Sequence, residues 1–160
     1  MSNMPTSQPT PSNPITHIVP MVVTEQLDAV REFYAALPGA QIDIDMEDYV
    51  QVRFALEGYQ APAKGEPGDR RPAMAFLTPA STGVFKKPLP ALEGAGLLIN
   101  VPVTDADAHH DELTTAQFQP TSEAFDKPWG WRSFQLVDPC GVTLDFFHVK
   151  ADAAALDAAS

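Results

Sequence analysis

The sequence contains the same order of secondary-structure patterns twice. In the first half, THIVPMVV (16–23) alternates as a strand does, and apolar residues spaced three and four apart follow it, as on one side of a helix. In the second half, GLLINVPV (96–103) and TDADAHHDELTTA (104–116) repeat this order of strand and helix. Further strand-like segments follow each pair. The repetition predicts an α+β fold of two βαβββ modules that form a curved mixed sheet around a cleft.

In the first module, a change of hydrophobic period separates the helix from the strands. The helix has a single apolar stripe, made of Leu27, Val30, Tyr34 and Leu37. Proline and glycine in LPGA (37–40) end it. Three strands are predicted to follow, in QIDID (41–45), YVQVRFALEG (49–58) and AMAFLTP (73–79).

In the second module, the helix is predicted to begin at Thr104, with Asp107 three residues later in the pattern of a capping box. A weaker strand is predicted between Phe118 and Phe125. The module ends with a hairpin, WRSFQLVD (131–138) and GVTLDFFHV (141–149), around the turn Asp-Pro-Cys-Gly.

The ends of the chain differ from the modules in composition. The first residues are rich in Pro, Ser, Thr and Asn, with little to bury, and are expected to be disordered. The expected organisation is a tail at 1–14, the first module at 15–80, a linker at 81–95, the second module at 96–150 and a tail at 151–160.

The charge balance limits the partners. Twenty-one acidic and ten basic residues give a net charge of -11, which repels nucleic acids and anionic membrane surfaces. The same field attracts cationic small molecules, although acidity also serves solubility alone.

The cysteine content and the N-terminal segment point to the cytoplasm. A single cysteine, Cys140, forbids an intrachain disulfide, and its position in a turn suggests a structural role. The first residues show no basic and apolar leader pattern, and no apolar run approaches the roughly 20 residues of a membrane span.

Three segments resemble the vicinal-oxygen-chelate superfamily, which includes glyoxalase I, extradiol dioxygenases, fosfomycin-resistance enzymes and bleomycin-resistance proteins. They are PMVVTEQLDAVREFYAALPGA (20–40), LLINVPVTDADAHHDEL (97–113) and PWGWRSFQLVDPCGVTLDF (128–146). The most specific parts are Phe33-Tyr34 with Gly39, Val103 with Asp105, Trp129-Gly130, and Asp138-Pro139-x-Gly141. The resemblance implies the two-module fold, and because this fold hosts both enzymes and binders, it leaves the activity open.

Metal enzymes of this superfamily carry a His or Gln on the first strand of each module and a Glu on the last. The first place falls on Val19, or on His17 after a shift of two residues, and its counterpart in the second module is Leu98. The last strand of the first module offers only Ala73, Ala75 and Leu77. Asp145 occupies the Glu place of the second module. Two potential ligands are too few for a tight divalent site, so neither a metal nor another cofactor is predicted.

Strand alternation instead predicts a cleft with aromatic walls. Such rings stack on flat or cationic ligands, and a carboxylate pairs with a ligand amine. The predicted ligand-binding residues are Met21, Tyr49, Arg53, Asn100, Trp129, Trp131, Asp145 and Phe147. An alternative for the two tryptophans is packing against a partner subunit or against the loop after Pro120.

The preferred hypothesis is a metal-independent binding protein, similar to the bleomycin-resistance branch, that forms a homodimer and holds a flat, cationic small molecule. A second is a lyase, isomerase or dioxygenase whose metal is held by His17 and Asp145 together with water or a partner group. A third is a metal-free enzyme with Asp145 as general base and Arg53 or Arg132 as oxyanion stabiliser.

The remaining candidate side chains are assigned structural roles. Phe33 and Tyr34 belong to the core of the first helix. His109 and His110 are expected on a solvated helix face, and His148 is expected to be partly buried beside the second helix.

Overall fold

The computed structural model describes residues 17–63 and 66–151, and in these residues the chain forms two four-stranded mixed sheets. Sheet A has the strand order β1-β4-β3-β2, and sheet B has the order β5-β8-β7-β6. The first module contains β1 (Met21–Val23), α1 (Leu27–Ala36), β2 (Ala40–Asp45), β3 (Tyr49–Phe54) and β4 (Ala73–Leu77). The second contains β5 (Leu98–Pro102), α2 (Ala106–Thr115), β6 (Phe125–Asp126), β7 (Trp131–Val137) and β8 (Thr143–Val149). The predicted order of two βαβββ modules is confirmed.

Both sheets have the same pattern of strand directions. The first strand of each module runs parallel to the last, β1 beside β4 and β5 beside β8, and the other neighbours are antiparallel. A parallel neighbour requires a crossover connection, which α1 and α2 supply at the start of each module. One face of each sheet is therefore covered by a helix, and the opposite face is called here its helix-free face.

Helix α1 forms because its apolar residues share one side. Leu27, Val30 and Tyr34 are buried on this stripe, as predicted. Leu37 follows in extended conformation, and Gly39 has a φ of 84°, a left-handed conformation that glycine adopts readily and that continues the chain into β2.

The helix side of both modules contributes to one apolar core. Its buried members come from α1, α2 and both sheets, including Val52 and Phe76 from sheet A and Phe134 and Leu144 from sheet B. Burying side chains of this size stabilises a fold by about 1.5–3 kcal/mol each, so the modules depend on each other for stability.

A buried hydrogen bond joins the two modules. The Tyr34 hydroxyl donates to Asp138 Oδ2 at 2.7 Å across 104 positions of the chain. Asp138 Oδ1 accepts from the backbone N–H groups of Cys140 and Val142, and burial raises the pKa of this carboxyl. Burial also raises the pKa of the Cys140 thiol to about 11, so the thiol is protonated at neutral pH.

The linker is attached to both modules. The Leu92 N–H donates to Val23 O at 2.7 Å, which places this segment along the edge of β1. Further on, Gly94 packs on Gly141 in the turn between β7 and β8. A Cβ at Gly141 would lie 2.7 Å from Gly94 Cα, so no side chain fits there.

Four expectations about the elements need correction or fall outside the described residues. Residues 17–20 are not part of a strand, because β1 covers Met21–Val23 only. Asp105, and not Thr104, caps α2, because its carboxylate accepts from the N–H groups of Asp107 and Ala108 at 2.9 and 3.1 Å. The weak strand after Phe118 is reduced to the two residues of β6. The predicted tails lie outside the described residues, apart from Ala151.

None of the helices in the described part of the chain is long and apolar enough to span a bilayer.

Candidate functional site

The structure divides the predicted ligand-binding residues between two surfaces. Tyr49, Arg53 and Met21 belong to sheet A, and the other predicted residues belong to sheet B or to the segment before β7. Cross-strand register places Asn100 opposite Asp145. Phe147 is opposite Ser133 on the next strand. The residues of sheet B therefore form one group, and those of sheet A form another.

On the helix-free face of sheet A, the polar groups are bound to each other. Arg53 Nε lies 2.7 Å from Asp43 Oδ2 and 3.3 Å from a carboxylate oxygen of Asp69. Gln51 donates to Asp43 at 3.0 Å and accepts from the Tyr49 hydroxyl at 3.0 Å. The guanidinium and the phenol that sequence analysis assigned to a ligand are thus already engaged.

Asp69 is tied into the same network by a second arginine. Arg71 donates to the Asp69 carboxylate at 2.7 Å, and this hydrogen bond is the main cause that lowers the pKa of Asp69 to about 2. Arg71 also donates to Gln41 at the same distance. The carboxylate is therefore charged throughout the physiological range.

On the helix-free face of sheet B, an aromatic pair stands on β7 and β8. The rings of Trp131 and Phe147 are stacked, with centroids 3.9 Å apart and planes 15° from parallel. Trp129 meets Trp131 edge-on at 6.4 Å and is 63% exposed. The pair presents a flat apolar wall, and Trp129 extends this wall into solvent.

Beside this wall lie two buried polar side chains. Ser133 is fully buried between Phe125 and Phe147, which are its register partners on β6 and β8. Asp145, one register pair further along β8, is 6% exposed. Among the described residues, neither Ser133 Oγ nor Asp145 Oδ1 has a hydrogen-bond partner. Buried polar atoms are nearly always paired in native proteins, so two orphaned atoms make this face the candidate binding surface.

Lys127 completes this face and was missed by sequence analysis. Its ammonium lies 3.0 Å from the centroid of the Phe125 ring and donates to Ser133 O at a long 3.4 Å. Burial lowers the pKa of Lys127, and the nearby Asp145 carboxylate opposes that shift. Alternation between Phe125 and Lys127 was the only signal in the sequence, and β6 is too short to make that signal recognisable.

The positions that hold a metal in the superfamily do not fit one here. Val19, Leu98 and Ala75 have no atom that binds a metal, and only Asp145 has one. His17 lies in the exposed segment before β1. Within residues 17–63 and 66–151, no group of three or more His, Cys, Asp or Glu side chains is arranged to hold a metal ion. The donor set therefore disfavours chemistry that depends on a metal.

Arg132 is not placed to stabilise an oxyanion at Asp145. It binds Asp107 of α2 at 2.7 Å and Asp126 at 3.0 Å, so its guanidinium lies on the helix side of sheet B. The hydrogen bonds that Arg132 donates to these two carboxylates raise its pKa. Arg132 is therefore not available as the oxyanion stabiliser of a metal-free enzyme.

The histidines of the second module take structural positions. The prediction for His109 was wrong, because its ring packs on Phe146 at 4.7 Å and burial lowers its pKa. His110 is also largely covered, with its ring edge-on to Phe134. His148 is partly buried, as predicted, and its Nδ1 accepts from Ala106 N at the start of α2. This bond places the proton of the neutral ring on Nε2.

Two cavities lie away from this face. One, of about 680 Å³, is bounded by Phe54, Val101 and Phe146 on the helix side of the modules. The other, of about 640 Å³, lies between β1 and the linker and includes Met21 and Leu92 in its lining. Neither contains an aromatic residue or a carboxylate of the predicted set.

No protein-family model and no curated protein matches the chain. Among solved structures, a glyoxalase/bleomycin resistance protein/dioxygenase from Nocardioides is 20% identical, with 89% of this chain and 87% of that chain covered and a TM-score of 0.65. A bleomycin-binding protein complexed with bleomycin is 16% identical, with 85% and 100% covered and a TM-score of 0.55. Lactoylglutathione lyase from Agrobacterium tumefaciens is 16% identical, with 84% and 94% covered and a TM-score of 0.57. The resemblance inferred from the sequence is therefore confirmed at the level of fold, and the chain has the two-module fold of the glyoxalase, bleomycin-resistance and dioxygenase proteins.

Proposed function

We propose that this protein binds a flat small molecule on the helix-free face of sheet B, without a metal or another cofactor. The observation that carries the proposal is the stacked pair Trp131–Phe147 beside two buried polar atoms, on Ser133 and Asp145, that have no partner in the described structure. The aromatic pair supplies contact area, and the polar atoms supply orientation.

The unpaired polar atoms of Ser133 and Asp145 lower the stability of the fold. A buried polar atom without a hydrogen bond costs about 1–3 kcal/mol, and a core of apolar residues would avoid that cost. A ligand that offers hydrogen bonds to Ser133 and Asp145 recovers it. Stacking on Trp131 adds on the order of 1 kcal/mol.

The fold comparisons are compatible with binding and with catalysis. One similar structure is a bleomycin-binding protein in complex with bleomycin, and another is a lactoylglutathione lyase. Binding is favoured for this chain because the ligand positions of the metal enzymes offer at most two donors here, His17 and Asp145, whereas Leu98 and Ala75 provide none. The net charge of -11 makes a cationic ligand one candidate class.

We further propose that the protein is a cytoplasmic homodimer in which a second copy borders the site. Trp129, Met21 and Leu98 expose large apolar side chains, at 63%, 49% and 46%. Exposed apolar side chains of this size are typical of an interface between subunits.

The proposal is tested by titration with 2-naphthamide, 2-naphthoate and 2-naphthylmethylamine. These probes share one flat ring system and are neutral, anionic and cationic at neutral pH. At least one should bind with EDTA present, and Trp131→Ala should weaken that binding by at least about tenfold. Calorimetry gives the affinity, and chemical shifts of the indole N–H groups locate the site.

Phe85→Ala, which removes an exposed aromatic residue of the linker, is the matched control and should leave the affinity unchanged. If none of the three probes binds up to its solubility limit, or if Trp131→Ala keeps full affinity while remaining folded, the proposal is wrong.

A further inference from the structure

Three groups with unused hydrogen-bonding capacity converge on the helix-free face of sheet B. Asp145 Oδ1 and Ser133 Oγ accept no hydrogen bond from the described residues. The Lys127 ammonium has three hydrogens, and the one hydrogen bond recorded for it in the described structure is the 3.4 Å contact to Ser133 O. The face therefore offers spare acceptors and spare donors side by side.

The two charged members of this group are close but not paired. The Asp145 carboxylate interacts with Lys127 strongly enough to affect its titration, yet no ion pair between them is formed in the described structure. The ammonium is held instead over the ring of Phe125. Together the two side chains bring one ammonium and one carboxylate to this face, without an ion pair between them in the described structure.

The charge of a ligand group that binds beside Lys127 and Asp145 affects its affinity. A cation beside Asp145 also approaches the Lys127 ammonium, and an anion beside Lys127 also approaches the Asp145 carboxylate, so each gains one attraction and meets one repulsion. A neutral group that carries a donor and an acceptor satisfies both residues without repulsion. The Ser133 hydroxyl donates or accepts as required.

We propose that the site recognises its ligand through a neutral edge that presents one hydrogen-bond donor and one acceptor side by side, as a primary carboxamide does. The donor binds Asp145, the acceptor binds Lys127, and the flat ring that carries this edge packs against Trp131 and Phe147. This inference rests on the proposed function and narrows its ligand class.

The Lys127 side chain is held in place only weakly. Its ammonium is held by a long hydrogen bond and by the Phe125 ring, and both are weak interactions that a swing of the side chain gives up at low cost.

The acidity of the whole chain does not decide this selectivity. A net charge of -11 attracts cations from a distance, but salt screens such fields over about 8 Å at physiological ionic strength. Within the site, the charges in contact with the ligand are Lys127 and Asp145.

The test uses the same three naphthalene probes with the full chain and two charge-removing variants. Wild type should bind 2-naphthamide best, by about fivefold over the other two probes. Lys127→Met leaves Asp145 alone, so 2-naphthylmethylamine should become the best ligand. Asp145→Asn leaves Lys127 alone, so 2-naphthoate should become the best ligand.

Lys150→Met is the matched control. Lys150 belongs to the same module and binds Asp126, on the side of sheet B that also holds Arg132. This variant should keep the wild-type order of the probes. Circular dichroism verifies that each variant is folded, and Asp145→Asn preserves the shape of the side chain it replaces.

The outcomes separate this inference from the proposed function. If wild type prefers the amine or the carboxylate, or if the two variants keep the wild-type order, the inference is overturned while binding to sheet B stands. If no probe binds, both fail. The expected result is that wild type prefers the amide. The preference should change to the amine in Lys127→Met and to the carboxylate in Asp145→Asn.

Discussion

The helix-free faces of the two sheets have the same strand order but opposite polar chemistry. On sheet A, Arg53 forms ion pairs with Asp43 and Asp69. Gln51 donates to Asp43 and accepts from Tyr49. On sheet B, the buried polar atoms of Ser133 and Asp145 have no partner in the described structure and lie beside a stacked aromatic pair. The difference supports the proposal that the ligand binds to sheet B, because the polar side chains of sheet A already bind each other.

The strongest test of this difference is to replace one aspartate by leucine on each face, in separate variants. On sheet A, Asp43→Leu leaves the cation of Arg53 with one carboxylate fewer and removes the acceptor of Gln51. Losing one partner of a largely buried pair should destabilise the fold by about 2 kcal/mol, less than the roughly 3–5 kcal/mol of fully buried pairs. Denaturant unfolding measures the change. Equal stability of variant and wild type would show that the network of sheet A contributes nothing.

The same change on sheet B should have the opposite sign. Asp145→Leu replaces a buried carboxylate that has an unpaired oxygen, so the free energy of unfolding should rise by about 1 kcal/mol. Binding of 2-naphthamide should be lost in the same variant. A stability below that of wild type would mean that Asp145 has an internal partner, and the contrast between the faces would disappear.

A smaller effect should appear in the acid stability of sheet A. The pKa of Asp69 is lowered to about 2 in the folded state, chiefly by its hydrogen bond from Arg71, whereas the ordinary value is 3.8. The charged carboxylate therefore stabilises the fold above about pH 4 and loses that contribution as the pH falls towards 2. Asp69→Asn should lower the melting temperature at neutral pH and reduce its dependence on pH across this interval. An identical acid profile in the two proteins would contradict the role given to Arg71.

Hydrophobic periodicity was sufficient to predict the elements. Spacings of three and four residues predict the stripe of α1, and alternation predicts the faces of β3, β7 and β8, because burial on one side of a regular element gives a periodic pattern of apolar residues. That is also why Trp131, Asp145 and Phe147 were assigned to one surface. The ends of elements were less accurate, and residues 17–20 and the cap of α2 were assigned wrongly.

The pairing of polar groups was beyond the reach of the sequence. Asp43 meets Arg53 and Gln51 only because β2 shifts register between Ile42 and Ile44, which no period reveals. Lys127 follows a strand of only two residues, so in the sequence it resembles a solvated loop residue. The structure shows its ammonium over the ring of Phe125. Which polar groups are satisfied depends on such contacts, so the contrast between the two sheets, on which the binding proposal rests, was not predictable from the sequence.

The attachment of the linker bears on the form that the proposed homodimer would take. Leu92 is bonded to the edge of β1, and Gly94 is pressed against Gly141, where the backbones approach too closely for any side chain. A dimer that trades modules between chains would first have to detach this strap at both points and open the common core. Association of two closed protomers avoids that activation barrier, so pairing by docking should equilibrate quickly and depend reversibly on protein concentration.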